Sequence, residues 1–354
     1  MTLYEGLLRP ALFLLPAETA HNLGKKALSS EFPWRLLAGR FQVADPRLET
    51  EVAGLRQSSP IGLTAGFDKD ALALPGLAHL GFGSITVGAV MPRLRAGNPR
   101  PRLARRPQER ALVNCMGLPS KGLDYAVGNL RRYREAHPSG GPPIIANVGG
   151  FTVEEIVGCF RAVEPWVDAV ELDLTCPNVE VEGEMAGMEG IVRAMKRVVA
   201  ERRKPVFAKL PLRSSEENWG RALEMSGAAA DAGLDGITAA GNLRVEDRRL
   251  SKPRVSLTGP PCFENSLPVV RELRSVVGDR LTIRMSGGVS DGDSAFRLLE
   301  AGADAVNVFT AFVYRGPSAA ARMNRELLQK LDEAGVKSVP ELRQRWAPSS
   351  RAAR

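Results

Sequence analysis

The chain has 354 residues, of which 44% are hydrophobic and 25% are charged, proportions that suit a globular protein with a sizeable core. Its net charge of +8 favours anionic ligands or an anionic lipid surface. The basic residues are dispersed or lie in loops such as 100–110 without interleaved aromatic residues, so we expect no nucleic-acid partner. The four cysteines form no Cys-x-x-Cys pair, which disfavours a bound metal, an iron–sulfur cluster and a disulfide framework, and indicates a reducing compartment.

Two short apolar helices are predicted at the N-terminus, over 3–15 and 17–29, with Pro16 between them. Lys25 and Lys26 point away from the apolar face of the second helix. No apolar run reaches the roughly 18 residues that a membrane-spanning helix needs. The pair is therefore interpreted either as a helical lid packed on the fold or as a foot that rests on a membrane surface.

Eight short apolar strands follow, with helical patterns such as Met188–Arg202 and Glu217–Ala232 between most of them. The predicted strands are Ile61–Ala65, Ser84–Val87, Ile144–Asn147, Ala169–Asp173, Val206–Leu210, Gly236–Ala240, Leu281–Met285 and Ala305–Phe309. Because strands and helices alternate and no second apolar module is present, the sequence predicts a single (β/α)₈ TIM barrel with an N-terminal helical extension.

Two longer loops, Met91–Asn114 and Leu243–Cys262, are expected to cover the C-terminal mouth of the barrel, where catalytic side chains lie in this fold. The last helix is predicted over Ala319–Glu333, and 348–354 is expected to be disordered. The chain is thus divided into a helical extension (1–40), a barrel (41–335) and a C-terminal tail (336–354).

One strand ends in the sequence Thr-Cys-Pro-Asn, which makes Cys176 a candidate base or nucleophile. A thiol is a better base than a hydroxyl because its reference pKa is about 8.5. The alternative is a plain core cysteine, which is the interpretation for Cys115, Cys159 and Cys262. A turn-forming proline and a hydrogen-bonding asparagine next to Cys176 favour the functional role.

Lys209 ends another apolar strand, where a buried ammonium needs an anionic or strongly polar partner. That partner is either a carboxylate in a structural ion pair or an electron-rich cofactor ring.

Gly287 and Gly288 after the seventh strand, with Thr310 after the eighth, fall where TIM barrels bind phosphate, although the glycines would equally suit plain turns. The small residues before Lys69 would let a flat ligand lie against the backbone while the ammonium reaches an anionic group.

Several motifs together resemble those of dihydroorotate dehydrogenases, over residues 4 to 333. The motifs lie at Gly62–Asp70, Gly81–Ser84, Gly97–Arg102, Asn114–Gly117, Thr175–Asn178, Ala208–Leu210 and Ser286–Val289. The N-terminal segment Leu15–His21 resembles the membrane-associated, quinone-linked branch of that family.

This resemblance implies an FMN-binding barrel that oxidises dihydroorotate to orotate in pyrimidine synthesis. It implies a cytoplasmic protein that is peripherally associated with the inner membrane. The implied electron acceptor is a quinone, which would bind near His21 and Arg105. It implies that Cys176 takes a proton from the substrate ring and that Lys209 stabilises the reduced flavin. The implied substrate contacts are Lys69, Asn114, Asn178 and Asn242. The implied cofactor contacts are Ala65, Gly66, Asn147, Lys209, Gly259, Gly287, Gly288, Phe309 and Thr310.

The chain departs from the family pattern at several of these positions. Cys176 is typical of the soluble branch, whereas the quinone-linked branch usually has Ser. Asp173 replaces an Asn and would place a carboxylate near an anionic substrate. Ala240–Gly241, followed by Asn242, replaces a Thr-Asn pair, and Phe309 replaces an aromatic hydroxyl near the quinone site. Several losses therefore fall on substrate amide contacts, while the flavin-facing lysine and glycines remain.

Three functions stay open from the sequence. The first is a dihydroorotate dehydrogenase. The second, motivated by Asp173, is an FMN oxidoreductase of the same fold that acts on a different cyclic substrate. The third is a non-catalytic barrel that binds flavin or phosphate. The acceptor is open too, because the apolar N-terminus favours quinone whereas the thiol base favours the soluble relatives.

Overall fold

Eight parallel strands form a closed barrel, in the order β10-β13-β14-β3-β4-β7-β8-β9, in a computed structural model that describes residues 2–138, 140–175 and 183–346. The barrel strands are β3 (Ile61–Leu63), β4 (Ile85–Val90), β7 (Ile144–Gly149), β8 (Ala169–Asp173), β9 (Val206–Lys209), β10 (Gly236–Ala240), β13 (Thr282–Ser286) and β14 (Ala305–Val308). The predicted TIM barrel is confirmed, and each of its strands overlaps a predicted strand.

Helices surround the barrel. They are α1 (Arg9–Phe13), α2 (Ala17–Leu28), α3 (Trp34–Phe41), α4 (Leu74–Leu77), α5 (Leu123–Ala136), α6 (Val153–Val163), α7 (Met188–Glu201), α8 (Glu216–Ala232), α9 (Phe263–Val277), α10 (Gly292–Glu300), α11 (Thr310–Arg315), α12 (Ala319–Glu333) and α13 (Val339–Arg345). The helices from α4 onward bury apolar residues, whereas α1 and α3 have no buried residue. The main apolar core lies between the strands and these helices. No helix within the described ranges is both long and apolar enough to cross a membrane.

The two long loops of the sequence analysis contain four strands rather than loops alone. The strands β5 (Leu103–Arg106), β6 (Ala111–Asn114), β11 (Leu243–Glu246) and β12 (Arg254–Thr258) pair antiparallel in the order β11-β12-β6-β5. We call this four-stranded sheet the cap sheet. It was missed because β5 and β11 carry charged residues at alternate or adjacent positions and bury little of their surface.

A short hairpin closes the opposite end of the barrel. Its strands β1 (Thr50–Val52) and β2 (Leu55–Gln57) pair antiparallel, and Val52 and Leu55 pack against the barrel residues Ile145, Ala169 and Phe207. These contacts seal the N-terminal ends of the strands with apolar side chains. This apolar plug separates the interior of the barrel from solvent at that end.

The N-terminal helices lie against the cap sheet. The Arg105 guanidinium stacks 4.4 Å from the Phe13 ring centroid and donates to the Leu15 carbonyl at 2.8 Å. Arg102 donates to the Glu18 carboxylate at 2.7 Å. These contacts join α1 and α2 to β5 and to Arg102 just before it, so the helices form a lid on this part of the fold.

The C-terminal tail contains a helix that the sequence analysis did not predict. Helix α13 buries Val339 and Leu342, and its Arg343 pairs with the fully buried carboxylate of Asp304, which also pairs with Arg274. The helix is short, and its few apolar residues did not show a helical spacing clear enough to predict a helix from the sequence. The segment 348–354, expected to be disordered, lies outside the described residues.

Candidate active site

A cavity of about 230 Å³ lies at the C-terminal ends of the barrel strands, between the barrel, the cap sheet and α2. Eleven of the residues proposed from the sequence line it. They are Ala65, Gly66, Lys69, Asn114, Lys209, Asn242, Gly259, Gly287, Gly288, Phe309 and Thr310. They come together because parallel strands of a barrel all end at the same rim.

Three of the proposed site residues are not placed at this cavity. Asn147 is fully buried and does not line the cavity, and its Nδ2 donates to Glu171 Oε1 at 2.7 Å inside the barrel. Its position in β7, two residues before the strand ends, explains this, since the following residues carry the chain to the rim. Cys176 and Asn178 lie outside the described residues.

Lys209 is held by a carboxylate on the neighbouring strand. Its Nζ lies 2.7 Å from Asp173 Oδ2, and the Asp173 side chain is 1% exposed whereas that of Lys209 is 33% exposed. Burial raises the pKa of the Asp173 carboxyl, and the Lys209 ammonium acts in the opposite direction. The structural ion pair considered for Lys209 is therefore present. Both partners also line the cavity, so the pair does not remove Lys209 from the site.

Lys69 places a second ammonium at the cavity. Its Nζ donates to the Gly66 carbonyl at 2.5 Å, and burial lowers its pKa to about 8, assisted by the positive charge of Lys25. Asp70 acts in the opposite direction. Most Lys69 side chains are thus protonated at pH 7, and among the described residues two lysines and one acidic residue, Asp173, line the cavity. This balance suits an anionic ligand.

The cavity also contains buried polar atoms that have no hydrogen-bond partner among the described residues. They are both amide atoms of Asn307, Oδ1 of Asp173 and Oγ1 of Thr175. Buried polar groups are normally satisfied, so such a cluster indicates a polar ligand. The sequence analysis missed Asn307, although a single amide inside the apolar strand Ala-Val-Asn-Val was a signal that could have identified it.

Three glycines form part of the cavity lining. Gly259, Gly287 and Gly288 have φ angles of 114°, 97° and 81°, which favour glycine. A Cβ on Gly288 would lie 2.4 Å from the Phe263 backbone. Beside them, the Thr310 and Thr258 hydroxyls are 2.9 Å apart. The backbone therefore approaches the cavity closely here, next to two hydroxyl groups.

Aromatic rings from the barrel and α2 meet at the lid side of the cavity. His21 stacks on Phe309 with ring centroids 6.1 Å apart and meets Phe67 edge-on at 5.0 Å. Burial lowers the pKa of His21 to about 3, with further lowering by Lys69 and Lys25. His21 is therefore neutral at physiological pH and forms part of an apolar wall.

The family model for dihydroorotate dehydrogenase matches residues 47–331 of this chain. The chain is 34% identical to the dihydroorotate dehydrogenase (quinone) of Rhodococcus opacus, over 96% of this chain and 98% of the relative. It is 33% identical to the dihydroorotate dehydrogenase (quinone) of Halobacterium salinarum, over 95% and 98%. The crystal structure of DHODH from Eimeria tenella in complex with ferulenol matches with a TM-score of 0.76 and 26% identity, over 92% of this chain and 94% of that one.

This chain belongs to the dihydroorotate dehydrogenase family. Dihydroorotate dehydrogenases are flavin-dependent enzymes, and several residues that line the cavity are of the types that suit a flavin. The unpartnered amide of Asn307 suits the donor and acceptor atoms of a flat polar ring, and the ammonium of Lys209 lies on the same rim. The three glycines, with the hydroxyls of Thr258 and Thr310, suit a phosphate tail.

Proposed function

We propose that this protein is a dihydroorotate dehydrogenase that binds FMN, oxidises dihydroorotate to orotate and passes the electrons to a quinone. The single observation that carries the proposal is the cavity itself, because one cavity is lined both by the three glycines and by Asn307, Lys209 and Lys69. Family membership supports the same reaction.

Within this proposal, the residues of the cavity divide between the cofactor and the substrate. Gly259, Gly287, Gly288 and Thr310 would hold the FMN phosphate, while Ala65, Gly66 and Phe309 would flank the ring system. Lys209 would lie at the electron-rich edge of the ring. A flavin held there would supply a hydride acceptor for the substrate carbon next to the one that loses a proton.

The substrate would lie between the flavin and the cap sheet. The Lys69 ammonium would pair with the substrate carboxylate, and Asn114, Asn178 and Asn242 would bond its ring amides. Cys176 would remove the proton from the ring carbon, and its neighbour Thr175 would remain within reach of the same substrate face. Asn114 and Asn242 support this arrangement because they line the same cavity as Lys69.

The proposal is tested on the purified full-length protein. We expect a yellow protein whose flavin absorbance bleaches when dihydroorotate is added without oxygen. A flavin that stays oxidised under these conditions would contradict the proposed substrate, and a colourless protein that takes up no FMN would contradict the cofactor as well.

The role of Cys176 is tested by Cys176→Ala in a single-turnover measurement of flavin reduction. A general base contributes about 10² to 10⁴ in rate, so the rate of bleaching should fall by that factor while FMN content stays the same. The matched control is Cys159→Ala, since Cys159 lies in α6 away from the cavity. Equal bleaching rates for the two variants would remove Cys176 from the mechanism.

Contact with a membrane surface is part of the same proposal. Large apolar side chains are exposed in and around the N-terminal helices, within residues 3–36, namely Leu3, Leu7, Leu8, Leu14, Leu23 and Leu36. An apolar face with lysines beside it suits the boundary of a lipid bilayer, where a quinone dissolves. We expect flotation with anionic vesicles, and activity with a long-chain quinone that increases with lipid. The combined change Leu7→Glu and Leu14→Glu should abolish both effects without changing flavin reduction by dihydroorotate.

A second function is favoured by one observation, the carboxylate of Asp173. It is 1% exposed and lines the cavity with Oδ1 unpartnered among the described residues, so it would accept a hydrogen bond from a ligand N–H. A neutral cyclic substrate of the same flavin enzyme would suit this charge better than an anionic one. Anaerobic bleaching with a panel of cyclic amides separates the two functions, because a clear preference for dihydroorotate eliminates the second.

A further inference from the structure

The carboxylate of Asp173 and the ammonium of Lys209 are placed side by side by the barrel itself. Asp173 ends β8 and Lys209 ends β9, and the two residues are register partners in the parallel pair of strands. Register partners project to the same face of a sheet, so both side chains enter the cavity from one direction. The distance of 2.7 Å between Nζ and Oδ2 follows from this register.

The two side chains of this pair differ in how far they are exposed to solvent. Asp173 is 1% exposed and Lys209 is 33% exposed, so the carboxylate lies behind the ammonium as seen from the cavity. Burying a carboxylate is costly, and the burial cost and the nearby Glu171 both raise its pKa, while Lys209 opposes them. The Lys209 ammonium favours the ionised form of the carboxylate beside it, and the carboxylate in turn restricts the orientation of Lys209.

We propose that Asp173 is a positioning residue that holds the Lys209 ammonium at the ring edge of the bound flavin and, by offsetting its charge, lowers the reduction potential of that flavin. The inference rests on the proposed function, because it requires a flavin in the cavity. A reduced flavin carries more negative charge than an oxidised one. A lysine whose charge is offset at 2.7 Å therefore stabilises the reduced form less than an unopposed lysine would.

A purely structural ion pair would have a different signature. Its removal would change the free energy of unfolding but would leave the reduction potential of the flavin unchanged. The potential is therefore the readout that separates the two roles, and it does not depend on turnover, on the substrate or on the electron acceptor.

The test is the two-electron midpoint potential of the purified holoprotein, measured at pH 7 against a reference dye. Asp173→Asn keeps the shape of the side chain and removes its charge, so the potential should become more positive. We expect at least a tenfold change in the equilibrium constant for reduction, which corresponds to about 30 mV. An unchanged potential in a variant that retains its flavin overturns the inference and leaves the proposed function intact.

The charge-matched control is Asp231→Asn. Asp231 pairs with Arg280 at 3.0 Å on the surface, and both side chains are more than half exposed, at 76% and 55%. Its replacement makes the same change in net charge far from the cavity, so the potential should stay at the wild-type value. A shift of equal size in this control would show that net charge alone is responsible, which overturns the inference.

Action through Lys209 is tested by repeating the comparison in Lys209→Met. Without the ammonium, the buried carboxylate is expected to take up a proton, because an unpaired buried charge is costly. Asp173→Asn should then change the potential by less than twofold in the equilibrium constant. A shift of the original size in the Lys209→Met background would mean that Asp173 acts independently of Lys209, which contradicts the positioning role.

Asp173→Ser provides a second way to remove the charge if Asp173→Asn does not hold flavin, and the same positive shift is expected from it. Loss of flavin from both variants, with Asp231→Asn still loaded, would show that the carboxylate is needed for binding rather than for setting the potential. That result also overturns the inference. A wild-type protein without flavin instead overturns the proposed function on which the inference depends.

Discussion

The side chains that matter most at the residue scale are polar groups that the barrel holds out of water. Asp173 is nearly fully buried, the two amide atoms of Asn307 have no hydrogen-bond partner among the described residues, and burial lowers the pKa of Lys69 to about 8. Each of these arrangements costs free energy in the protein alone. They are consistent with a site whose polar groups are completed by a bound ligand.

His21 gives a pH dependence at the residue scale. Its folded-state pKa of about 3 lies below the ordinary value, so the unfolded chain binds a proton that the folded chain does not. The contribution is fully present above about pH 6.5 and is lost as the pH falls towards 3, by up to about 1.4 kcal/mol per unit. His21→Leu should flatten the pH dependence of the free energy of unfolding, measured with urea between pH 6.5 and 4. Parallel curves for variant and wild type would contradict the prediction.

Gly288 gives a second prediction at this scale. An alanine there would place its Cβ 2.4 Å from the Phe263 backbone, at a φ of 81° that disfavours any side chain. Gly288→Ala should therefore displace the glycine loop and lower the ratio of bound flavin to protein at least tenfold. The control is Gly227→Ala in α8, where nothing lies within 4 Å of the added carbon. It should retain full flavin content and gain up to about 1 kcal/mol from higher helix propensity.

At the scale of elements, the site depends on how α2 is joined to the cap sheet. Glu18 in α2 accepts from two arginines of the cap region, Arg102 at 2.7 Å and Arg100 at 3.1 Å. The Arg102 side chain is 8% exposed, whereas that of Arg100 is 70% exposed. Arg102 also donates to the carbonyls of Ala96 and Asn98, so it organises the loop that leads into the sheet.

This difference in exposure predicts different effects for two chemically identical changes. Arg102→Ala should lower the free energy of unfolding by about 3 kcal/mol, because it leaves buried acceptors unpaired. Arg100→Ala should cost less than about 1 kcal/mol, as expected for an exposed ion pair. Urea unfolding measures both, and limited proteolysis should cut the N-terminal helices faster only in Arg102→Ala. Equal costs for the two variants would show that Arg102 does not hold the lid.

At the scale of the whole molecule, a buried ion pair crosses the inside of the barrel. Arg284 in β13 donates to Glu171 in β8 at 2.9 Å and to Thr86 in β4 at 2.6 Å, and Glu171 also accepts from Asn147 in β7 and Thr238 in β10. The side chains of Arg284 and Glu171 are 0% and 2% exposed. Five strands therefore share one polar network below the cavity.

Removal of one partner from this network should destabilise the whole barrel. Arg284→Met leaves the Glu171 carboxylate buried without its cation and should cost about 3–5 kcal/mol of unfolding free energy. The matched control Arg280→Met breaks the exposed pair with Asp231 and should cost less than about 1 kcal/mol. Urea unfolding, followed by circular dichroism, measures both. A cost below 1 kcal/mol for Arg284→Met would mean that the network is not needed for the closed barrel.

The barrel and most of its helices could be predicted from the sequence because their signals are local. A strand buried on both faces appears in the sequence as a continuous apolar run, as in Ile61–Leu63. A backbone position with a positive φ is often indicated in the sequence by a glycine. The cap sheet and α13 were missed, since their stability comes from contacts with distant elements and not from their own periodicity. The rim position of Lys69, Lys209, Gly287 and Gly288 followed from the strand ends, whereas Gly259 was expected only from the family resemblance.

Only the tertiary structure decided which groups meet. Asp173 and Lys209 are 36 residues apart, and their 2.7 Å contact exists because β8 and β9 pair in one particular register. The sequence likewise showed Asn147 and Asn307 as polar residues in apolar strands, but side-chain direction at the end of each strand placed the first inside the network and the second at the cavity. Composition and periodicity determine the elements, whereas distances between side chains depend on how the barrel closes.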